Sequence, residues 1–143
     1  MESQNYVNHR KFVKGYHYAL SALLLIGLIT AVVNVFLNWG NGNQLSLLLI
    51  LILFICGFLL AAFTRSFPLK AQDRAIRAEE NLRHFVLTGK LLDGSLKVGQ
   101  ITALRFAPDE EFIPLVAKAI GENLSPNDIK KEIKNWRADH HRV

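Results

Sequence analysis

ALSALLLIGLITAVVNVFL (residues 19–37) and LSLLLILILFICGFLLAAF (45–63) decide the fold. They flank NWGNGNQ (38–44), a polar break that carries no formal charge. Each run holds 19 residues and contains no Lys, Arg, Asp, Glu or His. As a helix each spans roughly 28 Å, close to the roughly 30 Å hydrocarbon core of a bilayer. A soluble helix of that length normally keeps a charged face. The pattern therefore reads as a transmembrane helical hairpin, with spans at about 18–37 and 45–64 and an outward loop at 38–44.

Working outward, charge orients the hairpin. Arg10, Lys11 and Lys14 precede the first run, Arg65, Lys70, Arg74 and Arg77 follow the second, and the loop has no basic residue. Basic flanks favour the cytoplasmic side, so both termini are expected there. The net charge of +5 is thus accounted for at the membrane before nucleic acid is invoked. Residues 1–17 form a cytoplasmic N-terminal arm, either lying on anionic lipid or disordered. It is not a cleavable signal, because the apolar segment is too long for an h-region and no small-residue cleavage site follows. Phe12, Tyr16 and Tyr18 suit one headgroup level and Trp39 the other. Cys56, the sole cysteine, lies within the second run and excludes a disulfide framework within the chain.

Within the hairpin, Gly27, Ala31, Asn34 and Asn38 share one helix face, as do Gly57, Ala61 and Thr64. Small residues let helices approach closely in lipid, so these faces are expected to pack together or on a partner. Asn34 is read as an interhelical hydrogen-bonding group. Transport is not favoured, since two helices enclose no pore and no intramembrane charge marks an ion path.

Residues 65–143 read as a cytoplasmic helical domain, making the whole chain all-α. Pro68 is expected to end the second span and start a new helix over 69–89. There Ala71, Ala75, Ala78, Leu82, Phe85 and Gly89 form an a/d-like stripe, with Asp73–Arg77 and Glu79–Arg83 as i,i+4 pairs. Lys70, Arg74 and Arg77 could contact lipid headgroups, at about 1 kcal/mol each. Gly89-Lys90 ends the helix and Asp93-Gly94 turns the chain. A short helix is expected over Leu96–Phe106, and another from Pro108, with Phe112, Val116, Ala119 and Ile120 inward and Pro114 imposing an irregular turn or a kink. Ser125-Pro126-Asn127-Asp128 is an N-cap signature, with Leu124 and Ile129 as a hydrophobic staple. Ile129, Ile133 and Trp136 then face the core.

Catalysis finds little footing. Asp109-Glu110-Glu111 are first-turn acids that favour a helix N-terminus, and His140-His141 lacks a third metal ligand nearby. No nucleophile motif or phosphate-binding glycine loop occurs. No enzyme, cofactor, metal site or small-molecule substrate is inferred. The alternative is DNA binding: Ala117, Gly121, Leu124, Ser125 and Ile129 echo a helix-turn-helix, with Lys130, Lys131, Lys134 and Arg137 as candidate phosphate contacts. Its spacing departs from the usual turn, and Asp128 and Glu132 would repel phosphate.

Four segments carry a further likeness: Gln72–Phe85, Gln100–Ala107, Asp109–Glu111 and Ile129–Trp136. Through them the chain resembles an uncharacterised bacterial family of small two-span membrane proteins, over nearly its whole length. The resemblance implies a protein of the bacterial cytoplasmic (inner) membrane and supplies no catalytic residues. The expected function is a membrane-anchored helical interaction module, an accessory or adaptor subunit with a protein partner or a second copy. A membrane-tethered DNA-binding protein comes next, and a small transport or lipid-handling protein third.

Overall fold

A computed structural model describes residues 4–9 and 12–139. Among these, every regular element is helical: α1 (Ser21–Asn38), α2 (Gln44–Thr88), α3 (Val98–Leu104), α4 (Asp109–Gly121) and α5 (Pro126–Glu132). A π-helical stretch, Gly15–Leu20, leads into α1. The chain divides into two compact units. One is Phe12–Phe67; the other gathers the N-terminal residues with the chain from Pro68 onward. Arg10, Lys11, His140 and His141 fall outside the described residues.

In the first unit, the covered positions of α1 are Leu24, Gly27, Leu28, Ala31, Asn34, Val35 and Asn38. Along the apolar run of α2, residues 45–63, they are Leu47, Leu51, Phe54, Gly57, Phe58 and Ala61. Both sets step by three and four, one stripe per helix. The Phe54 ring occupies the space above Gly27, so a Cβ there would come within 2.0 Å of its Cε1. Leu24 Cδ2 would lie 3.0 Å from a Cβ at Gly57. The Tyr16 hydroxyl donates to the Ala61 carbonyl. Absence of a side chain at Gly27 and Gly57 is what admits the large neighbours. The connection uses glycine differently: Gly40 and Gly42 adopt φ of 106° and 79°, where a Cβ would be strained. Gly15–Asn38 and Gln44–Thr88 are long and apolar enough to cross a membrane, and only 6% of the apolar window in each is buried.

The helical unit has the conventional core. Ile101, Leu104, Phe106, Phe112 and Ile129 are its largest fully buried side chains, joined by Leu96, Leu115, Val116 and Ile133. Full burial of each such side chain contributes about 1.5–3 kcal/mol. Trp136 and Leu124 cover the edge of this cluster. Gly89, at φ 73°, follows the last residue of α2 and donates its N–H to the Phe85 carbonyl at 2.7 Å, the left-handed helix stop that glycine supplies cheaply. Asp93 Oδ1 accepts from the Ser95 N–H at 2.8 Å, making the expected turn.

Several expectations need correction. Pro68 lies inside α2 and does not break it. Proline forgoes the single bond to the Thr64 carbonyl, and helical turns on both sides outlast that loss. The division between the compact units nonetheless falls there. The third helix is shorter than expected, beginning after Lys97, whose N–H is held by Gln100 Oε1 at 2.8 Å. In α4, Leu115 is buried and Ile120 is 38% exposed, because the face centred on Phe112, Val116 and Ala119 turns Ile120 to its rim. Pro114 is accommodated within α4. The last helix stops at Glu132, although Ile133 and Trp136 still reach the core from the irregular segment beyond it.

The small-residue stripe over 69–89, expected to pack either within the domain or between copies, does not pack within the domain. Its alanines are exposed, and the helix docks through Gln72, Asp73, Ile76, Glu80, Asn81, Arg83 and His84. Hydrophobic periodicity misses this face because most of its anchors are polar. Asn81 Oδ1 accepts from the Leu92 N–H at 3.1 Å, and His84 Nδ1 lies 2.7 Å from the Lys90 carbonyl oxygen.

Candidate functional site

The polar docking face of α2 lines an open recess of the helical unit. Arg83 stands at its centre, with Nη1 3.1 Å from Glu80 Oε2 and Nε 2.7 Å from Asp109 Oδ1. Nη2 donates to the Ala107 carbonyl at 2.8 Å, and the guanidinium carbon lies 4.2 Å from the centre of the Phe112 ring. The local sequence accounts for this. Glu80 and Arg83 are one turn apart on α2, and Pro108 places Asp109 as the first residue of α4. The expected Glu79–Arg83 pair is replaced by Glu80–Arg83, since Arg83 is turned toward the unit.

Glu80 is only 5% exposed. Burial pushes its carboxyl above its ordinary value of 4.5, and the hydrogen bond and charge of Arg83 offset part of that effect. A carboxylate buried this far needs its cation, so the pair is a structural tie before it is anything else. The open cleft beside it has a volume of about 620 Å³ and is lined by Glu79, Glu80, Arg83, Pro108, Asp109, Glu110 and Arg137. A neighbouring recess of about 280 Å³ shares Glu79, Glu80 and Arg137 and adds Arg105 and Asp139. Arg105 Nε is 3.1 Å from Asp139 Oδ2. Charges of both signs line these walls, which suits a polar protein surface. Among the described residues, no group of three or more His, Cys, Asp and Glu could hold a metal ion.

The three consecutive acids serve different neighbours. Asp109 holds Arg83, Glu110 is exposed, and Glu111 clamps the chain after α5. Glu111 Oε2 accepts from the Lys134 N–H at 2.9 Å, and Oε1 from the Asn135 N–H at 3.0 Å. The bond from the Lys134 amide, with those from Asn135, holds the Glu111 carboxyl below its ordinary range. Ser125 caps α5 as expected, accepting from the Asp128 N–H at 3.2 Å and donating to Asp128 Oδ2 at 2.6 Å. The Ser125 hydroxyl chiefly, and then Lys131, lowers the Asp128 carboxyl.

The residues singled out from the sequence separate into distinct places. Gly27, Ala31, Asn34, Gly57 and Ala61 lie on the covered stripes of α1 and α2. Asn34 Oδ1 accepts from Asn38 Nδ2 at 2.8 Å, so its partner sits one turn on in the same helix and not across the interface. Lys70, Arg74 and Arg77 are exposed on α2. Lys130 and Lys131 are on α5, whereas Lys134 and Arg137 lie beyond its end, so the four do not share a helix face. Lys130 Nζ lies 3.2 Å from His9 Nε2.

That last contact reveals a role for the N-terminal residues which the sequence did not indicate. The His9 ring packs 5.7 Å from Trp136 and 6.2 Å from Phe106. Gln4 Oε1 accepts from the Asp139 N–H at 2.8 Å. Within the arm expected over 1–17, residues 4–9 therefore pack on the helical unit. Neither this docking nor the Arg83 and Glu111 contacts had a local signature; only their acid and base content was visible.

A family model described as "Family of unknown function (DUF6526)" matches residues 1–143. The chain belongs to this family. No curated protein and no solved structure matches the chain. Membership in a family of unknown function leaves the functional reading to the chain's own surfaces.

Proposed function

We propose that this chain is a membrane-anchored helical interaction module, an accessory or adaptor subunit of a bacterial inner-membrane assembly. In this reading α1 and the first half of α2 form the transmembrane hairpin, with loop 38–44 outward and both termini cytoplasmic. One observation carries it: the apolar surfaces of α1 and α2 point away from their shared stripe, with Leu23, Phe36, Leu45 and Leu53 each at least two-thirds exposed. Apolar surface on that scale calls for a nonpolar solvent or a partner. The basic flanks on both sides of the pair, against none between, support the orientation. Lys70, Arg74 and Arg77 then belong to the headgroup region.

A DNA-binding role draws less from the geometry, because the helix carrying Lys130 and Lys131 ends before Lys134. Transport draws least, since the Asn34 amide is engaged with Asn38. The test is native extraction in a mild detergent after flotation with membranes, followed by identification of co-purifying chains. The chain is expected in the carbonate-resistant membrane fraction, in a complex larger than its monomer. Recovery in the soluble fraction, or as a lone monomer while other complexes stay intact, would overturn the reading.

A further inference from the structure

Between Ala71 and Gly89, α2 carries two opposed faces. Gln72, Ile76, Glu80 and Arg83 turn to the helical unit, while Ala71, Ala75, Ala78, Leu82 and Phe85 are exposed. Leu82 is 63% exposed, Phe85 50% and neighbouring Val86 74%. Hydrophobic surface has no folding role on that side, since the unit's core lies opposite. The exposed set steps alternately by four and three, the a/d spacing of a two-stranded coiled coil.

The register decides the occupant. With Ala75 and Leu82 at a and Ala71, Ala78 and Phe85 at d, Arg74 falls at a g position and Glu79 at the next e. Both are exposed, and neither enters the ion pairs found among the described residues. In a parallel pair each g faces the following e of the other helix, so Arg74 meets Glu79 twice, once on each flank. An antiparallel pair sets g against g and e against e. The g residues are then Arg74, Asn81 and Thr88, the e residues Gln72, Glu79 and Val86, and no opposite charges meet. We propose that a second copy of this chain packs in parallel on this face of α2, with Arg74 and Glu79 pairing between copies. The pairing follows from the register alone and does not require that α1 and α2 cross a membrane. If they do, insertion in one orientation would favour the same parallel arrangement.

The test uses the full chain in liposomes with Cys56→Ser as background. Single cysteines are introduced as Ala75→Cys, Leu82→Cys and, off the seam but also exposed, Arg77→Cys. Residues at a meet their own counterparts across a parallel seam, so the Ala75→Cys and Leu82→Cys variants should form disulfide dimers severalfold faster than Arg77→Cys. Glu79→Arg removes both pairs and should weaken dimerisation by roughly two- to thirtyfold, the range of two exposed ion pairs, and adding Arg74→Glu should restore it. Equal cross-linking at all three sites, or no recovery in the charge-swapped double variant, would overturn the proposal. Flotation of the same liposomes reads anchoring separately: floating without cross-linking defeats the dimer alone. Dimers in a chain that does not float defeat the anchor alone.

Discussion

Arg83 and Asp109, 26 residues apart in the chain, meet through two donors on one oxygen, with Nε at 2.7 Å and Nη2 at 2.5 Å from Asp109 Oδ1. The same guanidinium neutralises Glu80, and the two acids differ sharply in what they contribute. Glu80 is buried, whereas the Asp109 side chain is 61% exposed. Arg83→Leu should therefore cost about 3–5 kcal/mol, because it strands the Glu80 charge. Asp109→Asn should cost about 0.2–1 kcal/mol. Adding Glu80→Leu to Arg83→Leu should recover most of the loss, since a buried pair can be exchanged for apolar packing. Thermal unfolding of the full chain, followed by circular dichroism, provides the comparison; equal losses for Arg83→Leu and Asp109→Asn would contradict it.

Glu80 also sets a pH dependence. Its raised folded value means that the folded chain binds the proton more readily than the unfolded chain. The stabilisation is whole below the ordinary value of 4.5 and is lost as pH rises through the folded value. Glu80→Gln, which keeps the shape of the protonated acid, should remove this decline. Its stability relative to the parent should thus grow from pH 4.5 upward, as read by denaturant titration at a series of pH values. A constant difference across that range would be inconsistent with the buried carboxyl.

Glu111 has the opposite sign. The Lys134 and Asn135 amides lower its carboxyl, so its contribution is present above the ordinary value and fades as pH falls through the folded one. Glu111→Ala should release the segment after α5, and amide hydrogen exchange should quicken at Lys134 and Asn135 with α4 largely unaffected. Lowering the pH should produce the same local change in the parent chain. Protection that persists in the variant would show that the clamp is not Glu111.

Gly27 and Phe54 provide a steric test in the other unit. A Cβ at Gly27 would lie 2.0 Å from Phe54 Cε1, against 3.0 Å between one at Gly57 and Leu24 Cδ2. Gly27→Ala should cost about 1–3 kcal/mol, the usual range for overpacking, and Gly57→Ala less. Phe54→Leu, by shortening the obstructing side chain, should relieve part of the Gly27→Ala loss. Unfolding of the full chain in mixed micelles measures all three; additive effects of Gly27→Ala and Phe54→Leu would refute the contact.

Local pattern determined a great deal by itself. Uncharged runs separated by an Asn/Gly break made two long apolar helices inevitable, and Ser125-Pro126 fixed the start of the last helix. Small residues at three- and four-residue spacing marked the stripes of α1 and α2, because packing there depends on side-chain size at a helical period. Tertiary structure decided what distance along the chain conceals. It selected the polar face of α2 as the docking surface, since Asn81, Arg83 and His84 find backbone and acidic partners supplied by later segments. It also brought Gln4 and His9 to Asp139, Trp136 and Lys130. Such contacts join residues with no shared local signature, so their pairing is settled only when the core has formed.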